Sequence, residues 1–169
     1  MIPDDPTLLP PPESRSSVVK PYMLSHGTCE CISLKDTREF YEGFLGLDCV
    51  RHSESGMLFR LGTKFHVVCI EVGDQVRPCT LMNHWGLDVG SKEEVEEAHR
   101  KAVELKDRYK MRQVLPPKMQ HGVYSFYMED LNQNWWEIQY YDGLLHDDFW
   151  ALGDRVAMDH SPLTSLHSE

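Results

Sequence analysis

Residues 25–50, SHGTCECISLKDTREFYEGFLGLDCV, decide the first half of the fold because they read as a strand followed by a helix. A capping box of Asp36 and Glu39 is expected to begin the helix, and Gly46 stands where it should stop. Three short strands are expected next, separated by turn-like segments, at about 48–53, 57–61 and 65–72. The order is therefore strand, helix and three strands.

The same order begins again at residues 81–89, LMNHWGLDV, which read as a strand. Ser91 and Glu94 form a second capping box, ahead of apolar residues spaced for one face of a helix. Three more strands are expected at about 111–115, 122–129 and 134–141. His26 and His84 occupy matching places in the two first strands. The chain therefore reads as an α+β protein with two duplicated βαβββ modules.

Composition limits the class of protein. The 169 residues carry a formal net charge of −10 with no basic run, which disfavours nucleic-acid or anionic-membrane partners. No stretch approaches the roughly 20 apolar residues of a membrane span, and the first residues are acidic and proline-rich, unlike a signal peptide. The five cysteines lack the paired spacing of a zinc site and are expected to be reduced core thiols. We therefore expect a cytoplasmic, soluble protein.

The domain organisation follows from the same patterns. Residues 1–20 are proline-rich and are expected to form an extended arm or a disordered tail. The folded domain is expected over residues 21–145, with modules at about 23–72 and 81–141. Residues 146–169 fade into polar sequence and are expected to form a C-terminal tail.

Side-chain alternation along the strands predicts a cluster of metal ligands. His26 and His84 each point away from the residues that should pack under a helix, and Glu137 lies in the last strand on a face that could be the same one. Two histidines and one carboxylate match the facial triad of non-heme Fe(II) sites, which leaves coordination positions open. The alternative is that each histidine is simply a hydrogen-bonded strand residue.

Residues 23–141 resemble the vicinal oxygen chelate superfamily, in which two βαβββ modules form a cup-shaped sheet around a metal. The nearest pattern is that of type I extradiol ring-cleavage dioxygenases. Residues 25–50 are similar to the opening of their modules, a strand histidine followed by an "FY…LG" helix. Residues 123–141, VYSFYMEDLNQNWWEIQYY, are similar to their closing hairpin, in which a tyrosine precedes the metal-binding glutamate by ten residues; here these are Tyr127 and Glu137.

The resemblance implies an Fe(II)-dependent enzyme that opens a catechol-type ring beside its diol with O2, with Mn(II) as the other candidate metal. It implies metal ligands at His26, His84 and Glu137, and acid–base residues at His66, His121 and Tyr127. A catechol must lose protons to chelate a metal, so basic groups beside the site help. A homodimer or higher homo-oligomer is compatible with the superfamily.

Two other functions remain open on this scaffold. A metal-dependent epimerase, isomerase or fosfomycin-type transferase would use the same two histidines and glutamate, without needing the acid–base set. A drug-sequestering binding protein would need no metal. The sequence also departs from the family at the turn DLNQN, where Asp-Pro-x-Gly is common; we expect Asn134 to take the left-handed conformation in place of glycine.

Overall fold

The structure is a computed structural model that describes residues 16–19, 24–62 and 65–143. Of the predicted arm, only residues 16–19 are described, and the predicted tail at 146–169 lies outside the described residues. The chain divides into two compact units, Met1–Gly73 and Asp74–Glu169.

The first unit contains one helix and a four-stranded sheet. Its elements are β1 (His26–Cys31), α1 (Leu34–Gly43), β2 (Asp48–Arg51), β3 (Gly56–Arg60) and β4 (His66–Glu71). The strand order is β1-β4-β3-β2. Strands β1 and β4 are parallel, whereas the β4–β3 and β3–β2 pairs are antiparallel. The predicted order of one strand, one helix and three strands is confirmed.

Helix α1 begins earlier than the sequence predicted. Its N-cap is Ser33, whose hydroxyl oxygen accepts a hydrogen bond from the Asp36 amide at 3.3 Å. The first helical amide, that of Leu34, is satisfied by the Glu71 carboxylate at 2.5 Å. The predicted box of Asp36 and Glu39 is therefore wrong, because Ser33 and Glu71 already satisfy the free amides of the first turn.

The core of the first unit lies on the sheet face that packs against α1. The strands contribute apolar side chains and thiols that are at most 8% exposed: Cys29, Cys31, Met57, Phe59, Val67 and Cys69. All the cysteines are free thiols, and contact with Cys29 and Cys31, together with burial, raises the pKa of Cys69 far above its usual range. The predicted alternation is confirmed in β1, because His26 and Glu30 alternate with the buried cysteines.

The second unit repeats this arrangement with one additional strand. Its elements are β5 (His84–Asp88), α2 (Lys92–Glu104), β6 (Gln113–Val114), β7 (Lys118–Gln120), β8 (Val123–Glu129) and β9 (Trp135–Tyr140). The order β5-β9-β8-β6 corresponds to that of the first sheet, and β7 pairs separately with β8. The predicted capping box of α2 is confirmed, since the Ser91 hydroxyl accepts from the Glu94 amide at 3.2 Å. The α+β prediction with two βαβββ modules is confirmed.

Helix α2 packs on β8 and β9. The ring of His99 meets the buried ring of Phe126 edge-on, with 5.2 Å between centroids. No helix in the described ranges has both the length and the apolar character that a membrane crossing requires.

A buried carboxylate organises the turn between β8 and β9. Asp130 Oδ1 accepts from the amides of Asn132 and Asn134, at 2.7 and 3.0 Å, and Asp130 Oδ2 accepts from Trp136 Nε1 at 3.1 Å. The left-handed residue is Gln133, with φ of 65°, so the expectation for Asn134 is wrong. The reason is that the Asn134 carbonyl and amide are both directed back to Asp130.

Candidate metal centre

The second unit places two of the predicted ligands on one sheet face. Strand β9 lies between β5 and β8, with Glu137 opposite Gly86 on one side and opposite Tyr127 on the other. Alternation puts His84, Tyr127 and Glu137 on the face turned away from α2. The predicted sharing of a face by His84 and Glu137 is therefore confirmed.

His84 and Glu137 are in direct contact, with 3.2 Å between Nε2 and Oε2. The Nδ1 atom of His84 lies 2.8 Å from the carbonyl oxygen of Leu81. Because a carbonyl oxygen only accepts hydrogen bonds, Nδ1 carries a hydrogen and donates it. The remaining nitrogen, Nε2, then faces a carboxylate oxygen, and this contact is favourable when a cation, either a proton or a metal ion, lies between the two atoms. Metal-binding histidines are commonly oriented by such a carbonyl partner.

Tyr127 stands beside both of these side chains. Its ring meets the His84 ring edge-on at 5.0 Å between centroids, and its side chain is directly opposite Glu137 in the register. Tyr127 is 6% exposed. Burial, with further contributions from the negative charge of Glu137 and from a hydrogen bond to its carboxylate, raises the pKa of Tyr127 to about 12. The hydroxyl is therefore protonated at neutral pH and can donate a hydrogen bond.

The other oxygen of Glu137 is held by residues that the sequence analysis missed. Ser125 Oγ donates to Glu137 Oε1 at 2.5 Å, and Gln120 Nε2 donates to Ser125 Oγ at 2.7 Å. Ser125 could have been found from alternation, because it lies two residues before Tyr127 on the same strand face. Gln120 belongs to β7, a strand that the sequence did not predict.

The first unit brings together the other pair of predicted site histidines. His26 and His66 are directly opposite each other on the parallel strands β1 and β4. Their rings are stacked, with 5.7 Å between centroids and an angle of 18° between planes. His26 Nδ1 also lies 2.9 Å from Ser25 Oγ. His66 thus lies beside the predicted ligand His26 in the first unit. In the second unit, Tyr127 lies beside the predicted ligand His84.

His121 has a different environment from the other predicted site residues. It forms the exposed turn between β7 and β8 with Gly122, and both residues have positive φ, 51° and 81°. Two positive φ values are typical of the type I′ hairpin turn. Val123 and Tyr127 are four residue steps apart along the strand, a distance of roughly 13 Å. The structure therefore does not bring His121 and Tyr127 together.

The donor atoms of the second unit fit a divalent metal ion. Imidazole nitrogen and carboxylate oxygen are ligands that Fe(II), Mn(II) and Zn(II) accept. His84 Nε2 and Glu137 Oε2 face each other. The second nitrogen of His84 is hydrogen-bonded to the Leu81 carbonyl, and the second oxygen of Glu137 is hydrogen-bonded to Ser125. Across residues 16–19, 24–62 and 65–143, no group of three or more His, Cys, Asp or Glu side chains is close enough to hold a metal.

A cavity of about 380 Å³ lies next to His66 in the first unit. Its lining includes Asp48, Val50, Leu58 and Arg60. Leu58 and Arg60 alternate with buried residues of β3, and Val50 and Asp48 are their register partners on β2, so these four residues lie on the sheet face away from α1. The cavity lining therefore includes apolar residues, an imidazole and two residues of opposite charge.

Comparison with known proteins identifies the fold. No protein-family model matches the chain, and no curated protein matches it in sequence. A possible glyoxalase from Bacillus cereus has a TM-score of 0.57 at 23% identity, over 70% of this chain and 99% of its own. The fosfomycin resistance protein FosX from Listeria monocytogenes, complexed with Mn(II) and sulfate, has a TM-score of 0.56 at 20% identity, over 78% and 98%.

A third similar structure is that of lactoylglutathione lyase from Agrobacterium tumefaciens, with a TM-score of 0.52 and 18% identity over 71% of this chain and 94% of its own. At this level of identity the likeness concerns the fold. It agrees with the predicted fold of two βαβββ modules. The chain has the vicinal oxygen chelate fold of the glyoxalase and fosfomycin-resistance proteins.

Proposed function

We propose that the chain is an Fe(II)-dependent extradiol dioxygenase that opens a catechol-type ring with O2. One observation carries the proposal. A predicted acid–base residue lies against a predicted metal ligand in each unit: His66 against His26, and Tyr127 against His84. A metal site alone would need only the ligands, so the added histidine and tyrosine favour an enzyme that moves protons beside its metal.

The proposed ligands are His84 and Glu137, with His26 as the third. The assignment of His26 rests on the sequence resemblance, whereas the other two are supported by their contact at 3.2 Å. Bound Fe(II) would supply a Lewis acid for the two diol oxygens and a binding site for O2. Mn(II) is accepted by the same donor atoms.

Tyr127 and His66 have different tasks in this proposal. The Tyr127 hydroxyl keeps its proton and donates a hydrogen bond to an oxygen of the bound diol, because burial raises the pKa of Tyr127 to about 12. His66 carries an imidazole, a side chain that enzymes commonly use to accept and return a proton.

The test is anaerobic reconstitution with Fe(II), followed by a set of catechols and then O2. The expected result is a yellow ring-opened product, with consumption of one O2 for each catechol. Tyr127→Phe should bind as much iron as the wild type and form product more slowly. If protein shown to contain iron yields no product from any of the catechols, the proposal is wrong.

A second candidate is a Mn(II)-dependent reaction of the fosfomycin type. It is favoured by the structural likeness to FosX, whose structure contains Mn(II). The test is to load the protein with Mn(II), add fosfomycin with water or a thiol, and follow phosphorus NMR. Opening of the epoxide by the Mn(II) protein, with no cleavage of catechols by the Fe(II) protein, would replace the first proposal by the second.

A further inference from the structure

Ser125 makes an interaction with Glu137 to which the proposed reaction assigns no role. Its side chain is fully buried, at 0% exposure, in the middle of β8. A buried hydroxyl in an apolar strand is costly unless it is paired. Here it has two partners, the carboxylate of Glu137 at 2.5 Å and the amide of Gln120 at 2.7 Å.

The direction of these hydrogen bonds is fixed by the chemistry of the three groups. The Nε2 atom of Gln120 is a donor, so the Ser125 oxygen accepts from it. A carboxylate oxygen only accepts, so the Ser125 hydrogen points to Glu137 Oε1. Gln120 therefore selects the rotamer in which the Ser125 hydroxyl donates to Glu137.

As a result of these hydrogen bonds, the two oxygens of Glu137 have different partners. Oε1 is held by Ser125, and Oε2 faces His84 Nε2 at 3.2 Å. A carboxylate with one oxygen already occupied by a strong hydrogen bond presents the other oxygen to a cation. The result is a ligand that offers one oxygen atom and leaves more of the coordination sphere for substrate.

We propose that Ser125, oriented by Gln120, is a positioning residue that holds Glu137 as a one-oxygen metal ligand. The inference rests on the proposed function, because it requires that Glu137 binds the metal. It assigns a role to β7, a strand with no counterpart among the described residues of the first unit, which brings Gln120 to Ser125.

The experiment measures Mn(II) affinity of the full chain by calorimetry, with the melting temperature of the metal-free protein beside it. Loss of residues that orient metal ligands typically lowers metal affinity 10- to 100-fold. Ser125→Ala should weaken Mn(II) binding by about 10-fold or more. Gln120→Glu should weaken it too, because the new carboxylate competes for the Ser125 hydrogen. Gln120→Met removes the donor and should have a smaller effect in the same direction.

Two control variants remove similar groups away from the site. Gln113→Glu alters a glutamine that also donates to a buried carboxylate, that of Glu129, at 3.0 Å. Thr37→Val removes a buried hydroxyl from α1 of the first unit. Both should keep wild-type Mn(II) affinity whatever their melting temperatures.

The outcomes separate this inference from the proposed function. If wild type and Glu137→Gln bind Mn(II) equally well, Glu137 is not a ligand, and both proposals fail. If Glu137→Gln loses Mn(II) while Ser125→Ala and the two Gln120 variants keep it, only the positioning role fails. Gln120 is only partly buried, so its variants should fold. They therefore test the positioning role even if Ser125→Ala does not fold.

Discussion

Replacing Asp130 should destabilise the second unit strongly, because this carboxylate organises the turn that joins β8 and β9. Asp130 is 0% exposed and accepts three hydrogen bonds, from two backbone amides and from the indole of Trp136. The same turn sets the register that places Tyr127 opposite Glu137. Loss of Asp130 should therefore affect both the stability of the second unit and the geometry of the site.

The magnitude follows from the donors that Asp130→Ala would leave without an acceptor. All three belong to buried residues, Asn132, Asn134 and Trp136. Leaving a buried donor unsatisfied costs about 1–3 kcal/mol, so the free energy of unfolding should fall by at least about 3 kcal/mol. Small domains are stable by about 5–15 kcal/mol, so this is a large share. Asp130→Asn keeps one oxygen for the amides and loses one acceptor, so it should cost about 1–3 kcal/mol.

The assay is urea unfolding followed by circular dichroism, since the mutation lies next to tryptophans that would alter fluorescence directly. The control is Asp107→Ala, which removes an exposed carboxylate and should change stability by less than about 0.5 kcal/mol. If Asp130→Ala were as stable as Asp107→Ala, the buried hydrogen bonds would not contribute as argued.

Three further predictions concern the metal and the acid–base residues. His84→Ala and Glu137→Gln should each lower Mn(II) affinity by about 100-fold or more, as measured by calorimetry. Tyr127→Phe keeps the ring against His84 but loses the hydroxyl; metal content should be unchanged, while ring cleavage slows by about 100-fold, a usual contribution of one positioned hydrogen-bond donor. His66→Phe should likewise keep iron and lose most of its turnover. His52→Ala, at an exposed position outside the strands, should leave all of these measurements unchanged.

Different results would contradict each of these statements. Unchanged Mn(II) affinity in both His84→Ala and Glu137→Gln would mean that the metal binds elsewhere. A Tyr127→Phe protein with normal ring cleavage would show that its hydroxyl takes no part in the reaction. Normal turnover in His66→Phe would remove that histidine from the mechanism, and loss of iron in the same variant would instead make it a ligand.

Much of the fold could be predicted from the sequence because local signals agree with the tertiary structure. The strand periodicity identified which face of β1 and β5 carries His26 and His84. Ser91 and Glu94 identified the start of α2, because their hydrogen bonds join residues only three or four positions apart in the sequence.

Other features could not be predicted because distant residues decide them. The start of α1 depends on Glu71, 37 residues from Leu34 in the chain. The left-handed residue in the β8–β9 turn depends on which amides Asp130 accepts from. The turn at His121 and Gly122 has a local signature, but its role in bringing Gln120 to Ser125 depends on the pairing of β7 with β8.

The most direct test of the metal centre is a crystal structure of the Mn(II)-loaded protein with anomalous scattering measured for manganese. We expect an anomalous peak within coordination distance of His84 Nε2 and Glu137 Oε2, with Ser125 still hydrogen-bonded to Glu137 Oε1. The same map would reveal whether His26 is the third ligand. A peak at another site, in crystals that contain stoichiometric manganese, would contradict the account.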